Sequence, residues 1–196
     1  ADKLVIASGG LSIPTLGASA FGYEVAKKFG LVVNPTRAGL VPFTLHDKDK
    51  TRFQDLSGVS IHCKVECGEQ SFTEDMLFTH RGLSGPAMLQ ISSYWLPGQQ
   101  IKICLVPEID LHDWLTDKQK ASPDLMLKNV LSQLIAKRVL EVFIDTELLN
   151  TPLKQLTHKM IENVYKTLQQ WHIKPNATEG YRTAEVTLGG VNTDEV

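Results

Sequence analysis

The hydrophobic pattern changes period four times along this chain, and that order constrains the fold more than any single motif. Leu4-Val5-Ile6-Ala7 is a short β-prone run ending in Ser8-Gly9-Gly10, which reads as a buried strand with a glycine turn. From Gly17 to Phe29 the spacing becomes helical, with Phe21, Val25, Ala26 and Phe29 on one face and Gly30 at the C-terminal cap position. Residues 31–107 are then β-rich, residues 111–173 are helical, and Tyr181 to Leu188 returns to strand character before Gly189-Gly190. An α/β unit, a β module, a helical module and a closing strand are the order expected of a unit inserted into an α/β host.

Within the β-rich part, candidate strands are 31–33, 39–45, 59–65, 71–78 and 101–106. His46 to Lys50 reads as a charged turn, and Gly68-Glu69-Gln70 as a hairpin tip. Several short strands separated by turns point to a small barrel or sandwich. One helix interrupts them, with Ser84 as cap and Pro86 in the first turn. In the helical part, Ser122-Pro123-Asp124 reads as a helix start, followed by Leu127, Val130, Leu131, Leu134 and Ile135 at helical spacing. Thr151-Pro152 opens a short helix. Thr157 caps another, whose apolar stripe is Ile161, Val164, Tyr165, Leu168 and Trp171. The fold class is therefore α+β: a β-barrel-like module plus a small helical subdomain, inserted in a Rossmann-like domain of which only flanking pieces are present. The expected divisions are 1–35 (β-turn-α flank), 36–108 (barrel-like module), 109–180 (helical subdomain) and 181–196 (returning strand). Both ends read as cuts inside a fold.

The formal net charge of −2 and the absence of a basic stripe argue against a nucleic-acid partner. No apolar run reaches the ~18 residues of a membrane helix, and no signal-peptide pattern opens the chain, so no membrane partner and a cytoplasmic location are expected. Three cysteines, Cys63, Cys67 and Cys104, suit a reducing compartment better than a disulfide framework. Cys63 and Cys67, expected on one strand, are too far apart for one ion without a turn, and no second ligand pair is visible, so no metal is expected.

Three segments could carry chemistry. Ser8-Gly9-Gly10 lets a backbone approach a ligand closely, although on spacing alone a plain glycine turn is the favoured reading. Thr79-His80-Arg81-Gly82-Leu83-Ser84-Gly85-Pro86 combines a helix start with a cation and an imidazole. A hydrolase with Ser84 as nucleophile and His80 as base is the sharp reading there. It fails where the nucleophile elbow needs glycine and this chain has Pro86, which leaves a capping Ser84 and a structural His80. The third segment runs from Tyr181 to Val191 and again ends a strand in two glycines.

Together and in this order, the blocks Ala7 to Pro14 with Gly17, Gly22-Tyr23 and Ala26, then Phe78 to Pro86, then Ala184 to Thr187 with Gly189-Gly190-Val191, resemble one family. It is the bacterial FAD-binding flavoproteins described as aminoacetone-oxidase-like, BaiN-like or YhiN-like NAD(P)/FAD-dependent oxidoreductases. The resemblance implies a fragment of a FAD-dependent oxidoreductase whose insert covers the flavin and shapes a small-molecule site. It implies that Ser8, Gly9, Gly10, Thr187, Gly189 and Gly190 lie against the cofactor; no residue stands out as a general acid or base, and His80 is a weak candidate. NAD(P)H is the implied electron donor, and the remainder of its own FAD-binding domain the implied partner. The family's Gly-x-Gly-x-x-Gly loop is not among these residues, so the isolated fragment is expected to be inactive and to hold no FAD. Where the family has a Gly-Ser-Thr-Gly-like run, this chain has Gly17-Ala18-Ser19-Ala20-Phe21-Gly22. The alternative reading is a non-enzymatic binding module for RNA or a protein partner.

Overall fold

A computed structural model describes residues 2–195; Ala1 and Val196, the outermost residues of the two expected flanks, lie outside them. The α+β class holds. The chain forms helix α1 (Phe21–Lys28), strands β1 (Val33–Gly39) and β2 (Phe43–Thr44), and helix α2 (Asp47–Phe53). Strands β3 (Ser60–Cys67), β4 (Gln70–Phe78) and β5 (Gly82–Ser84), helix α3 (Pro86–Ser92) and strand β6 (Ile101–Cys104) follow. The helical part contains α4 (Leu111–Ala121), α5 (Leu127–Leu131), α6 (Lys137–Phe143), α7 (Thr146–Leu149) and α8 (His158–Gln169). The chain returns through β7 (Trp171–Ile173), β8 (Ala177–Thr178) and β9 (Val186–Val191).

Seven strands make one antiparallel sheet in the order β7-β6-β3-β4-β5-β2-β8. Its two edge strands, β7 and β8, are joined by residues 174–176 alone. That linker can span no more than about 14 Å, so the sheet must curl until its edges nearly meet. The β3–β4 hairpin turns through Gly68-Glu69, with Cys67 opposite Gln70 and Gly68 at φ 59°. A two-residue loop of that hand matches the twist of the strands it joins. Cys63, Val65 and Cys67 face inward, and the helices close over them.

The barrel-like sheet and the helical subdomain share one continuous core. Its centre is a cluster of four rings: Phe53 of α2, Phe78 of β4, Phe143 of α6 and Trp171 of β7, with centroids 4.9–6.5 Å apart. The helices carry local caps. Asp110 accepts from Asp113 N at 3.0 Å, Asp145 from Glu147 N at 2.8 Å, and Thr157 from Met160 N at 3.3 Å. Ile161, Val164 and Leu168 of α8 are buried as their spacing predicts, while Trp171 completes the stripe from β7.

Gln169, the last residue of α8, is 9% exposed and ties the helical part to the sheet. Its Nε2 donates to Val106 O (2.6 Å) and Ile109 O (2.7 Å), and its Oε1 accepts from Leu111 N (3.0 Å). Replacing it with leucine leaves three backbone groups without partners. Gln169→Leu is therefore expected to lower stability by about 2–4 kcal/mol. Urea unfolding checks this, and a loss below ~1 kcal/mol would show that water replaces the amide.

Three local expectations need correction. The run from Leu4 to Ala7 is not a strand: it forms no ladder, and Leu4 and Val5 are 81% and 85% exposed. A strand needs a neighbour to take its backbone groups, and no described residue offers one there. His46 to Lys50 is not a turn but leads into α2. There Asp47 near the N-terminus pairs with Lys50 at 2.7 Å, and buried Phe53 anchors the far end. Ser122-Pro123-Asp124 starts no helix. Ser122 is the C-cap of α4, and the following turn is held by Lys154 N on Pro123 O (2.8 Å) and Leu153 N on Leu125 O (2.9 Å).

Candidate functional site

The first and third blocks meet. Strands β1 and β9 pair antiparallel, with Ala38 opposite Thr187 and Asn34 opposite Gly190. Thr187 Oγ1 accepts from Leu11 N at 2.8 Å and lies 3.1 Å from Ser12 Oγ. Gly10 is held tightly here: a Cβ on it would stand 2.7 Å from Thr187 Oγ1 and 3.0 Å from the Tyr23 hydroxyl. Gly189, at φ 80°, would place a Cβ 2.2 Å from Pro35 O, and one on Gly190 would lie 3.2 Å from the Tyr23 ring. Gly10, Gly189 and Gly190 are therefore required by contacts within the chain. Gly9, at φ 74°, faces open space, and Ser8 Oγ lies 3.0 Å from where a Gly22 Cβ would be.

Beside this junction lies an apolar cleft of about 700 Å³. The N-terminal run Leu4-Val5-Ile6 forms one wall, and Val25, Ala26 and Phe29 of α1 form another. The apolar face predicted for α1 is thus real but points into an open cleft, with Phe29 81% exposed. Ser8 and Gly9 lie on the rim. No lysine, arginine or histidine lines the cleft among the described residues. A flavin dinucleotide carries a pyrophosphate that needs cationic or N–H partners. These residues alone do not fit that group, although the apolar wall and the open Gly9 suit a flat ring or a packing element.

The second block is shaped by packing. Thr79 closes a tight turn, with its Oγ1 accepting from Gly82 N at 3.1 Å and its N–H donating to Gly82 O at 2.8 Å. A Cβ on Gly82 would sit 2.2 Å from Phe43 O of the neighbouring β2. Ser84 lies in β5 and does not cap α3, because Gly85 holds the N-cap position at φ 89°, ψ 164°. That conformation is closed to a serine, which is why the cap falls on the glycine. His80 is exposed, and no hydrogen bond joins it to Ser84 among the described residues. Arg81 pairs with Glu179 at 3.4 Å, fastening the turn to the segment after β8.

The cysteines are all free. Burial pushes the Cys63 thiol up to about 12, so it carries no thiolate at neutral pH. No group of three or more His, Cys, Asp or Glu among the described residues is placed to hold a metal ion. None of their helices is long and apolar enough to cross a membrane.

Charge is distributed unevenly. Lys64 and Lys102 share the Glu66 carboxylate at 2.8 and 2.9 Å, and these two lysines hold its pKa below the usual glutamate value. By contrast, Arg52, Lys128, Lys137 and Arg138 have no carboxylate within ion-pairing distance among the described residues. Sequence reasoning missed these four: Lys128, Lys137 and Arg138 are near one another in the chain, but only the fold sets Arg52 of α2 beside them.

A barrel-like sheet joined to a helical unit is also what a family comparison finds. The family described as "HI0933-like protein barrel and H2TH domain" matches residues 37–186. The chain belongs to the HI0933-like family. This HI0933-like chain is 51% identical over 197 residues to a protein of Escherichia coli (strain K12) named "Ribosomal RNA dihydrouridine synthase", covering 100% of this chain and 49% of the relative. It is 43% identical over 194 residues to a Haemophilus influenzae protein of the same name, covering 97% and 48%. A Clostridium scindens protein named "3-dehydro-bile acid delta(4,6)-reductase" is 26% identical over 214 residues, covering 100% of this chain and 51% of the relative. The chain spans about half the length of the curated relatives it matches.

These names correct two expectations. The main reading, a fragment of a FAD-dependent oxidoreductase whose insert covers the flavin and shapes a small-molecule site, is overturned: the relatives at 51% and 43% identity are named for ribosomal RNA, which suits the RNA arm of the alternative better. The expectation of no nucleic-acid partner falls with it. A net charge of −2 is a sum over the chain, and it conceals cations that carboxylates leave uncovered in one place.

Proposed function

We propose that this chain is the RNA-binding barrel-and-helix part of an enzyme that forms dihydrouridine in ribosomal RNA. The observation that carries the reading is 51% identity, along the whole chain, to a protein named for that activity. Dihydrouridine differs from uridine by saturation of the C5–C6 double bond, so its formation takes two electrons and two protons. A flavin in the longer protein, recharged by a nicotinamide, suits that requirement. Its pyrophosphate would be bound by residues beyond this chain. Ser8, Gly9, Gly10, Thr187, Gly189 and Gly190 would form at most one edge of the cofactor side, and His80 would stand on the substrate side.

On this reading residues 1–35 and 181–196 are the host's flanks, 36–108 the barrel-like part and 109–180 the helical part. The enzyme would work where ribosomal RNA is found, in the cytoplasm. The test is to delete the gene and quantify dihydrouridine in purified ribosomal RNA by nucleoside mass spectrometry. The modified nucleoside is expected to disappear and to return on complementation. Unchanged dihydrouridine in the deletion strain would sink the proposal.

A further inference from the structure

We infer that the phosphate backbone of the RNA lies along the seam between α2, α5 and α6. The inference rests on the RNA-binding reading above and names the face that would do the binding. Some lysines elsewhere in the chain are neutralised from within: Lys50 by Asp47 at 2.7 Å, Lys154 by Asp124 at 2.7 Å and Lys166 by Glu162 at 3.1 Å. Arg52, Lys128, Lys137 and Arg138 are four of the cations with no carboxylate within ion-pairing distance among the described residues, and contacts join them into one seam. Arg138 donates to Asp55 O, just beyond α2. Arg52 lies 5.1 Å from the Phe53 ring centroid and 5.3 Å from that of Phe143 in α6, which holds its guanidinium against the same seam. Lys137 adjoins Arg138 and, with Lys128 of α5, lines a pocket of about 320 Å³. Thr146 and Asn150 complete its polar wall, and Lys128 Nζ donates to Asn150 Oδ1 at 2.7 Å.

The chemistry selects a phosphodiester chain. Two ammonium groups, a hydroxyl and a carboxamide around one small pocket offer donors to an anionic oxygen, with Glu141 the one carboxylate on the lining. The two arginines extend the positive line past the pocket, as a repeating anion requires. Arg, with its planar fork, and Lys, as a point charge, are the residue types that hold phosphates. Such contacts position RNA without reading its sequence.

The test measures binding of a fluorescein-labelled hairpin of bacterial ribosomal RNA sequence by the full-length protein across a salt series. Each phosphate contact contributes roughly 0.7–0.9 to the slope of log K against log salt. Lys128→Gln with Lys137→Gln is expected to lower that slope by about 1.5 and to weaken binding about tenfold near physiological salt. Lys154→Gln with Lys166→Gln removes the same charge elsewhere and is expected to leave the slope unchanged. Far-UV circular dichroism checks that each variant folds. If both pairs lose affinity equally, or neither does, while the parent protein binds, the seam is wrong and the RNA-binding reading survives. If the parent protein binds no RNA, both fall. If polyglutamate competes as well as RNA, the seam serves an acidic protein segment, and the inference is overturned.

Discussion

Replacing Phe143 with alanine is expected to lower stability by about 3–5 kcal/mol, a large share of the ~5–15 kcal/mol of a typical domain. Phe143 is the one ring that the helical subdomain contributes to the four-ring cluster. It lies 4.9 Å from Trp171, 5.5 Å from Phe53 and 6.5 Å from Phe78. Its removal opens a cavity between the two parts of the core and takes away one surface on which Arg52 rests. Urea unfolding followed by tryptophan fluorescence and by circular dichroism measures the loss, because Trp171 reports on the cluster and the helices report separately. In the parent the two probes are expected to coincide, as one cooperative unit requires, and in the variant to move apart. A change below ~1 kcal/mol with coincident probes would show that the sheet and helices are held together elsewhere.

Gly85→Ala carries an expected loss of about 3 kcal/mol or more. The glycine sits at φ 89°, ψ 164°, where an L-residue is strained by roughly 1–3 kcal/mol. A Cβ would also stand 2.7 Å from Asp75 O and 2.8 Å from Leu77 N, and backbone in the middle of β4 cannot yield as a side-chain tip can. The melting temperature is expected to fall by roughly 6–12 °C. An unchanged melting temperature would mean that the β5–α3 junction relaxes freely. The expected loss, by contrast, would show that backbone packing is enough to fix the geometry of the Phe78 to Pro86 block.

Much of this architecture is legible in the sequence, and the failures share a cause. The β3–β4 hairpin, the Thr157 cap and the α8 stripe were readable because a few adjacent residues decide them. Leu4 to Ala7 has the composition of a buried strand, but composition supplies no partner for its backbone. Ser122-Pro123-Asp124 has the chemistry of a helix start, yet Lys154, remote in sequence, takes the Pro123 carbonyl with its N–H and the Asp124 carboxylate with its Nζ, while Leu153 N donates to the carbonyl of the next residue, Leu125. At the flanks, the glycine-bearing blocks read as places where a ligand approaches the backbone. The atoms that approach Gly10 and Gly189, however, belong to Thr187 and Pro35. The four seam cations were missed because Arg52 is remote in sequence from Lys128, Lys137 and Arg138, and because a net charge of −2 counts each carboxylate wherever it lies.

The pairing of β1 with β9 has a consequence for how such proteins diversify. Gly39 and Val186 are partners in that ribbon, so the chain leaves and re-enters the flanks at neighbouring points although 146 residues separate them. The intervening unit is therefore a cassette with its two leads side by side. Exchanging it for another of different size or surface would not pull the flanks apart, since the ribbon alone sets their spacing. Chimeras spliced at the Gly39–Val186 rung are the natural means of exchanging the intervening unit without moving its two leads.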